Sequence, residues 1–270
     1  MKMVLSRCVR CAALALVVLA AVAAPLRGQQ TDKPFVPQVG QAGKDVVWVP
    51  TPEALVEKML DLAQVTPRDF VMDLGSGDGR NVIGAAKRGA RSVGVEYNPN
   101  MVELSRRLAA EAGVSEKATF VEGDMYVADI SKASVMALFL LPGNMLQLRE
   151  KFLDLAPGSR IVSNTFGIEG WTPDQTETVP DCVDWCNALL WIVPAKVAGT
   201  WRIGQSNLTL TQEYQMLAGT LGNTPISDGR LLGNEITFTA GGRQYSGRVS
   251  GNTMEGAVGG ASWSAARATP

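Results

Sequence analysis

The stretch Phe70-Val-Met-Asp-Leu-Gly-Ser-Gly-Asp-Gly-Arg80 constrains this chain more than any other. A short apolar run leads into Asp73, glycines follow at alternate positions (Gly75, Gly77, Gly79), and Asn81-Val-Ile-Gly-Ala-Ala-Lys87 is compatible with a helix. Glycine is needed where φ must be positive, or where a Cβ would keep a ligand off the main chain. A turn opening into a helix also offers free N–H groups and the positive end of the helix dipole. The order is therefore strand, glycine turn, helix, with a ligand expected at the carboxyl end of the strand. The dinucleotide fingerprint G-x-G-x-x-G would need a glycine where Arg80 stands, so the loop is of another kind.

The same grammar continues downstream. Strands are expected over 69–74, 91–96, 118–121, 134–140 and 160–165, and helices over 79–88, 99–112 and 144–155. An earlier helix places Leu55, Val56, Met59, Leu60 and Ala63 on one face, with Thr51 as its N-cap and Pro52 as its first residue. Apolar strands alternating with helices imply a mostly parallel sheet covered on both faces. The expected fold class is thus α/β, a doubly wound, Rossmann-like sheet. Residues 166–198 leave little room for a full final helix, and Val179 with Ala188–Val193 is expected to supply a closing antiparallel hairpin. The strand ends bring Asp73, Glu96, Asp124 and the Leu140–Asn144 loop toward one place.

The Asp-x-Gly-x-Gly-x-Gly pattern resembles motif I of the class I, seven-strand S-adenosylmethionine-dependent methyltransferases. Val49-Pro-Thr-Pro52, Gly94-Val-Glu-Tyr-Asn98 and Leu138-Phe-Leu-Leu-Pro142 flank it in order. Residues 46–196 are thereby similar to bacterial relatives of the mitochondrial lysine methyltransferases that act on the ATP synthase c-subunit and on the adenine nucleotide translocase. The resemblance implies S-adenosyl-L-methionine as cofactor, held by Asp73, Gly75, Ser76 and Gly77. It places Glu96 on the ribose hydroxyls, Asp124 at the adenine amino group beside Met125, and Thr51 over the cofactor. Leu141, Pro142 and Asn144 would border the acceptor channel. The implied reaction is methyl transfer, first to a protein lysine side chain and alternatively to a small molecule or lipid. A third reading is a non-catalytic cofactor fold whose C-terminal part is a binding module. The Asn-Pro-Pro-Tyr loop of amino-methylating nucleic-acid enzymes is replaced by Leu-Leu-Pro-Gly-Asn, which counts against a DNA-adenine or glutamine acceptor.

Composition narrows the chemistry. The chain has no histidine, which excludes Ser-His-Asp triads and His-based zinc sites, and no residue is nominated as catalytic base. A net charge of −1 gives no nucleic-acid footprint. Residues 1–28 read as a signal peptide or uncleaved anchor: Lys2, Arg7 and Arg10, an apolar run from Cys11 to Ala24, then Ala21-Val-Ala23. The expectation is an exported or periplasm-facing protein, with a membrane-proximal substrate as one possibility. A linker is expected over 29–45, the methyltransferase domain over 46–198 and a small all-β domain over 199–270. In the last, Leu208 to Met216 is expected as one strand, and Asp228-Gly229 as one of five turns. Cys182 and Cys186 are compatible with either free thiols or a local disulfide, and oligomeric state is left open.

Overall fold

The computed structural model describes residues 35–268, so the expected signal segment lies outside the described residues. The chain runs α1 (Glu53–Leu62), β1 (Phe70–Leu74), α2 (Arg80–Lys87), β2 (Arg91–Glu96), α3 (Pro99–Glu111), β3 (Ala118–Glu122), β4 (Val135–Leu138), α4 (Pro142–Leu153) and β5 (Arg160–Asn164). β6 (Gln175–Thr178) and β7 (Asn187–Ile192) then complete a seven-stranded sheet in the order β3-β2-β1-β4-β5-β7-β6. The first five strands are parallel, and β7 runs antiparallel to both β5 and β6. The expected closing hairpin is present.

Alternation along the strands sends residues to two separate cores. Val71, Val135 and Val162 pack with Leu55, Met59 and Leu60 of α1, while α2 and α3 continue the same layer over Ala118 and Phe120. Met72, Met136 and Ile161 face the other way, toward Met145, Leu148 and Phe152 of α4. That second face has only one helix among the described residues. Where a helix after β5 would lie, the chain instead crosses in a loop whose Trp171 is 1% exposed, and the Trp191 indole N–H donates to the Trp171 carbonyl (2.7 Å).

The C-terminal residues close into an eight-stranded barrel rather than an open sheet: β8 (Gly199–Ile203), β9 (Ser206–Glu213), β10 (Met216–Leu221), β11 (Thr224–Leu232), β12 (Glu235–Ala240), β13 (Arg243–Ser250), β14 (Thr253–Val258) and β15 (Ala261–Arg267). β15 pairs back onto β8 (Ala265 with Ile203, Arg267 with Trp201), which removes the free edges. The interior is filled by Trp201, Leu208, Leu231, Phe238, Met254 and Trp263, a packed core in the manner of small barrels. Two sequence expectations fail here. The Leu208–Met216 run breaks at Tyr214 (φ 52), so Leu208 and Leu210 point inward but Met216 begins the next strand and is 50% exposed. Asp228-Gly229 is a bulge inside β11, where the register shifts against both neighbours, and not a turn between strands.

The barrel is built into the α/β layer. Tyr214 stacks on Trp171 (centroids 5.6 Å apart, 6° between planes), Gln215 Nε2 donates to the Thr172 carbonyl (2.8 Å), and Arg230 pairs with Asp174 (2.6 Å). Tyr214 thus joins the core that a final helix would have covered. Asn234 and Gly233 reach Pro157 and Gly158, which precede β5. Those contacts lie at the amino ends of the parallel strands, away from the ends that carry the predicted ligand site.

Candidate active site

The site is built where β1 and β2 end. After Leu74 the chain turns so that Gly75 N and Ser76 N both donate to the Val95 carbonyl (2.8 and 3.1 Å). Gly77 (φ 55) and Gly79 (φ 82) take left-handed conformations, and a Cβ at Gly77 would lie 2.8 Å from the Trp48 ring. Here glycine is demanded both by backbone angle and by the neighbour seated on it. The Gly77 N–H donates to Glu96 Oε2 (2.9 Å), while Glu96 Oε1 accepts from Asn98 N (2.9 Å). The carboxylate at the end of β2 is therefore locked to the glycine loop.

Asp73 is the chemically unusual member. Its side chain is 3% exposed; Oδ2 accepts from Asn81 Nδ2 (3.1 Å), and Oδ1 has no partner. Ser76 Oγ and Asn81 Oδ1, on the same cleft, also lack partners. Burial pushes the Asp73 carboxyl well above its usual range; the Asn81 amide opposes this, and the charges of Glu96 and Asp78 add to it. A buried carboxylate with an open oxygen is costly unless a donor or cation completes it.

Asp124, after β3, is held differently. Lys44 Nζ approaches Oδ2 (2.6 Å) and Tyr126 N donates to Oδ1 (2.8 Å), and the Lys44 ammonium keeps this carboxyl below its usual range. Lys44 comes from the segment expected to be an extended linker. Instead, the segment folds back on itself: Ala42 bridges Val47, and Gly40 N donates to the Trp48 carbonyl (2.8 Å), laying Trp48 over Gly77. Apolar Val46 and Trp48 supply the reason, since both find a neighbour only by folding back onto the core and the glycine loop.

All eight predicted cofactor positions line one cleft: Thr51, Asp73, Gly75, Ser76, Gly77, Glu96, Asp124 and Met125. Thr51 does so without capping α1. Pro52 is the cap residue, and Thr51 Oγ1 instead accepts from Asn164 Nδ2 (3.3 Å) while its carbonyl accepts from Arg80. The predicted acceptor residues stand beside the cleft rather than in its lining. Helix α4 starts at Pro142, earlier than expected, leaving Leu141 and Pro142 exposed and burying Asn144, whose Nδ2 donates to the Tyr126 hydroxyl (2.6 Å). Phe139 occupies the lining on that side. Sequence reasoning also missed Lys44, Trp48 and Asn81. Asn81 was findable, because the first turn of a helix after such a loop must face the preceding strand end; nothing local marked Lys44.

Residues 73–175 match the ANTKMT methyltransferase domain. A protein-lysine N-methyltransferase of Saccharolobus islandicus is 41% identical over 139 residues, covering 50% of this chain and 86% of that protein. The ATP synthase C-subunit lysine N-methyltransferase of Mus musculus is 38% identical over 130 residues, 48% of this chain and 52% of its own length. The chain thus spans about half of that mouse protein. Among solved structures, an RNA methyltransferase from Salinibacter ruber in complex with S-adenosyl-L-homocysteine shares 42% identity at a TM-score of 0.52. That match covers 55% of this chain and 96% of the other. With a glycine loop and strand-end acids in the geometry just described, this chain belongs to the ANTKMT methyltransferase-domain family and is an S-adenosyl-L-methionine-dependent methyltransferase.

Proposed function

We propose that this enzyme methylates lysine side chains of proteins. The observation that carries this reading is the 41% identity to a protein-lysine N-methyltransferase across 86% of that relative's length. S-Adenosyl-L-methionine fits the residues present: the open, buried oxygen of Asp73 asks for a cationic donor, and the cofactor's α-ammonium is one. In this reading Asp73, Gly75, Ser76 and Gly77 hold the amino-acid end, Glu96 the ribose, and Asp124 with Met125 the adenine, beneath Thr51. When bound, the cofactor supplies a methyl group already activated on a sulfonium. The residues of the chain then chiefly align the acceptor. An acceptor amine would have to arrive without its proton, since only the neutral form carries the lone pair that could take the methyl group.

Incubating the protein with methyl-labelled S-adenosylmethionine and a membrane extract is expected to place label in protein, released as methyl-lysine on hydrolysis. Label in RNA, as the name of the Salinibacter ruber protein would suggest for that enzyme, would redirect the assignment, as would label in the organic phase. No label anywhere would favour a non-catalytic fold with a binding barrel.

We also propose that the folded part works outside the cytoplasm. Cys182 and Cys186 form a disulfide (Cα–Cα 5.6 Å), a bond that persists in oxidising compartments. An alkaline phosphatase fused at the C-terminus is expected to be active; an inactive fusion held in the cytoplasm would refute export. Among the described residues, no helix is long and apolar enough to cross a membrane.

A further inference from the structure

Three aromatic rings meet at the cleft end of the sheet, each from a different loop. Phe139 follows β4 and lines the cleft, Phe166 follows β5, and Trp185 stands in the connection between β6 and β7. Ring centroids are 6.0 Å apart for Phe139–Phe166, 5.6 Å for Phe139–Trp185 and 5.3 Å for Phe166–Trp185. None of the three belongs to a hydrophobic core of the molecule. They form instead a continuous aromatic strip that starts in the cleft and ends at the surface, where Trp185 is 38% exposed.

Trp185 is held there at some cost. Its φ is 57°, a left-handed conformation unfavourable for a bulky side chain, and the Cys182–Cys186 disulfide closes the loop around it. The same loop carries Asp181 and Asp184, both exposed. An exposed aromatic face in a loop that also carries carboxylates suits a cation, which the ring quadrupole attracts. Shedding water against ring faces also lowers an ammonium's pKa, toward the neutral amine that attacks.

Resting on the lysine reading above, we propose that Phe139, Phe166 and Trp185 form the acceptor-binding surface of this enzyme. The strip receives the acceptor's cationic side chain at Trp185 and passes it along ring faces into the cleft. Trp185, positioned by the disulfide, selects a cationic amine over an uncharged side chain of similar length.

The test uses the full chain in the labelled membrane-extract assay, with Nα-acetyl-lysine methylamide or its uncharged norleucine analogue as competitor. Wild type is expected to be inhibited by the lysine compound at a concentration about 2- to 30-fold below that of the norleucine compound. Trp185→Ala should bring this ratio close to one, and Trp185→Phe should restore most of it. Cys182→Ser/Cys186→Ser should fall between them. Cofactor affinity, by calorimetry, should be unchanged in every variant, because Trp185 lies outside the cleft lining. A wild-type ratio retained in Trp185→Ala, a wild type that does not discriminate, or lost cofactor binding in Trp185→Ala would each overturn the proposal. Absence of label from protein with the wild type is a different result: the lysine reading itself then fails, and this surface loses its ligand with it.

Discussion

Asp73→Asn is expected to weaken S-adenosylmethionine binding by at least about 30-fold while making the cofactor-free protein more stable. Both effects follow from one oxygen. Asp73 Oδ1 is buried without a partner, so ionisation of this carboxyl is costly in the free protein. The same oxygen is the charge that a bound α-ammonium would neutralise, and losing one partner of such a pair costs about 2–5 kcal/mol. The pH dependence has a definite sign. The folded-state pKa is raised, so the stability contribution of Asp73 is intact below the ordinary carboxylate range and is lost as pH rises through the raised value. Cofactor affinity should run the other way, increasing as Asp73 ionises. Asp73→Asn should flatten both profiles. Thermal unfolding and calorimetry across pH check this; equal affinity in wild type and variant would remove Asp73 from the site.

The second large effect is expected at Gly79. Alanine there would keep φ near 82°, at about 1–2 kcal/mol for a left-handed L-residue, and would drive Cβ to 2.6 Å from the Phe120 ring and 3.0 Å from Ser105. Overpacking a rigid neighbour adds about 1–3 kcal/mol. Gly79→Ala should therefore destabilise by about 2–5 kcal/mol and disturb the loop that presents Gly77 to Glu96. Gly113→Ala is the control: its φ is 70°, yet no atom lies within 4 Å of the added Cβ, so only the backbone term remains. Urea unfolding distinguishes them by midpoint. If the two variants unfold together, the close approach of Phe120 is not what demands glycine at position 79.

Much of the glycine-loop cleft was legible in the sequence because it is local. A glycine loop, the strand before it and the helix after it are fixed by neighbours in the chain, and Glu96 and Asp124 follow from the end of each succeeding strand. The aromatic strip beside it was not. Phe139, Phe166 and Trp185 lie in three loops with no shared spacing, and only the parallel pairing of β4 with β5 and the antiparallel return of β7 brings them within 5.3–6.0 Å. Lys44 was hidden for the same reason. Its partner Asp124 is 80 residues away, and a Gly- and Pro-containing lead-in carries no periodicity that would announce a fold-back.

Sequence alone determined the α/β alternation, the glycine loop and the acids at the strand ends, since each depends on backbone angle, hydrophobic period and positions a few residues apart. It also announced a β-rich C-terminus through its turns, as a small sheet or partial barrel, but not full closure. Closure rests on Ala265 meeting Ile203 and Arg267 meeting Trp201 across the whole length of that region, a pairing set by accumulated twist and register. The tertiary structure likewise decided the disulfide, because a short Cys-x₃-Cys spacing permits the bond but only the β6–β7 turn brings the two Cα atoms to 5.6 Å. It decided, too, that Tyr214 of the barrel would cover Trp171 where the sheet has no final helix. Such contacts join residues far apart in the chain, and no local pattern encodes a partner whose position is set by every strand between.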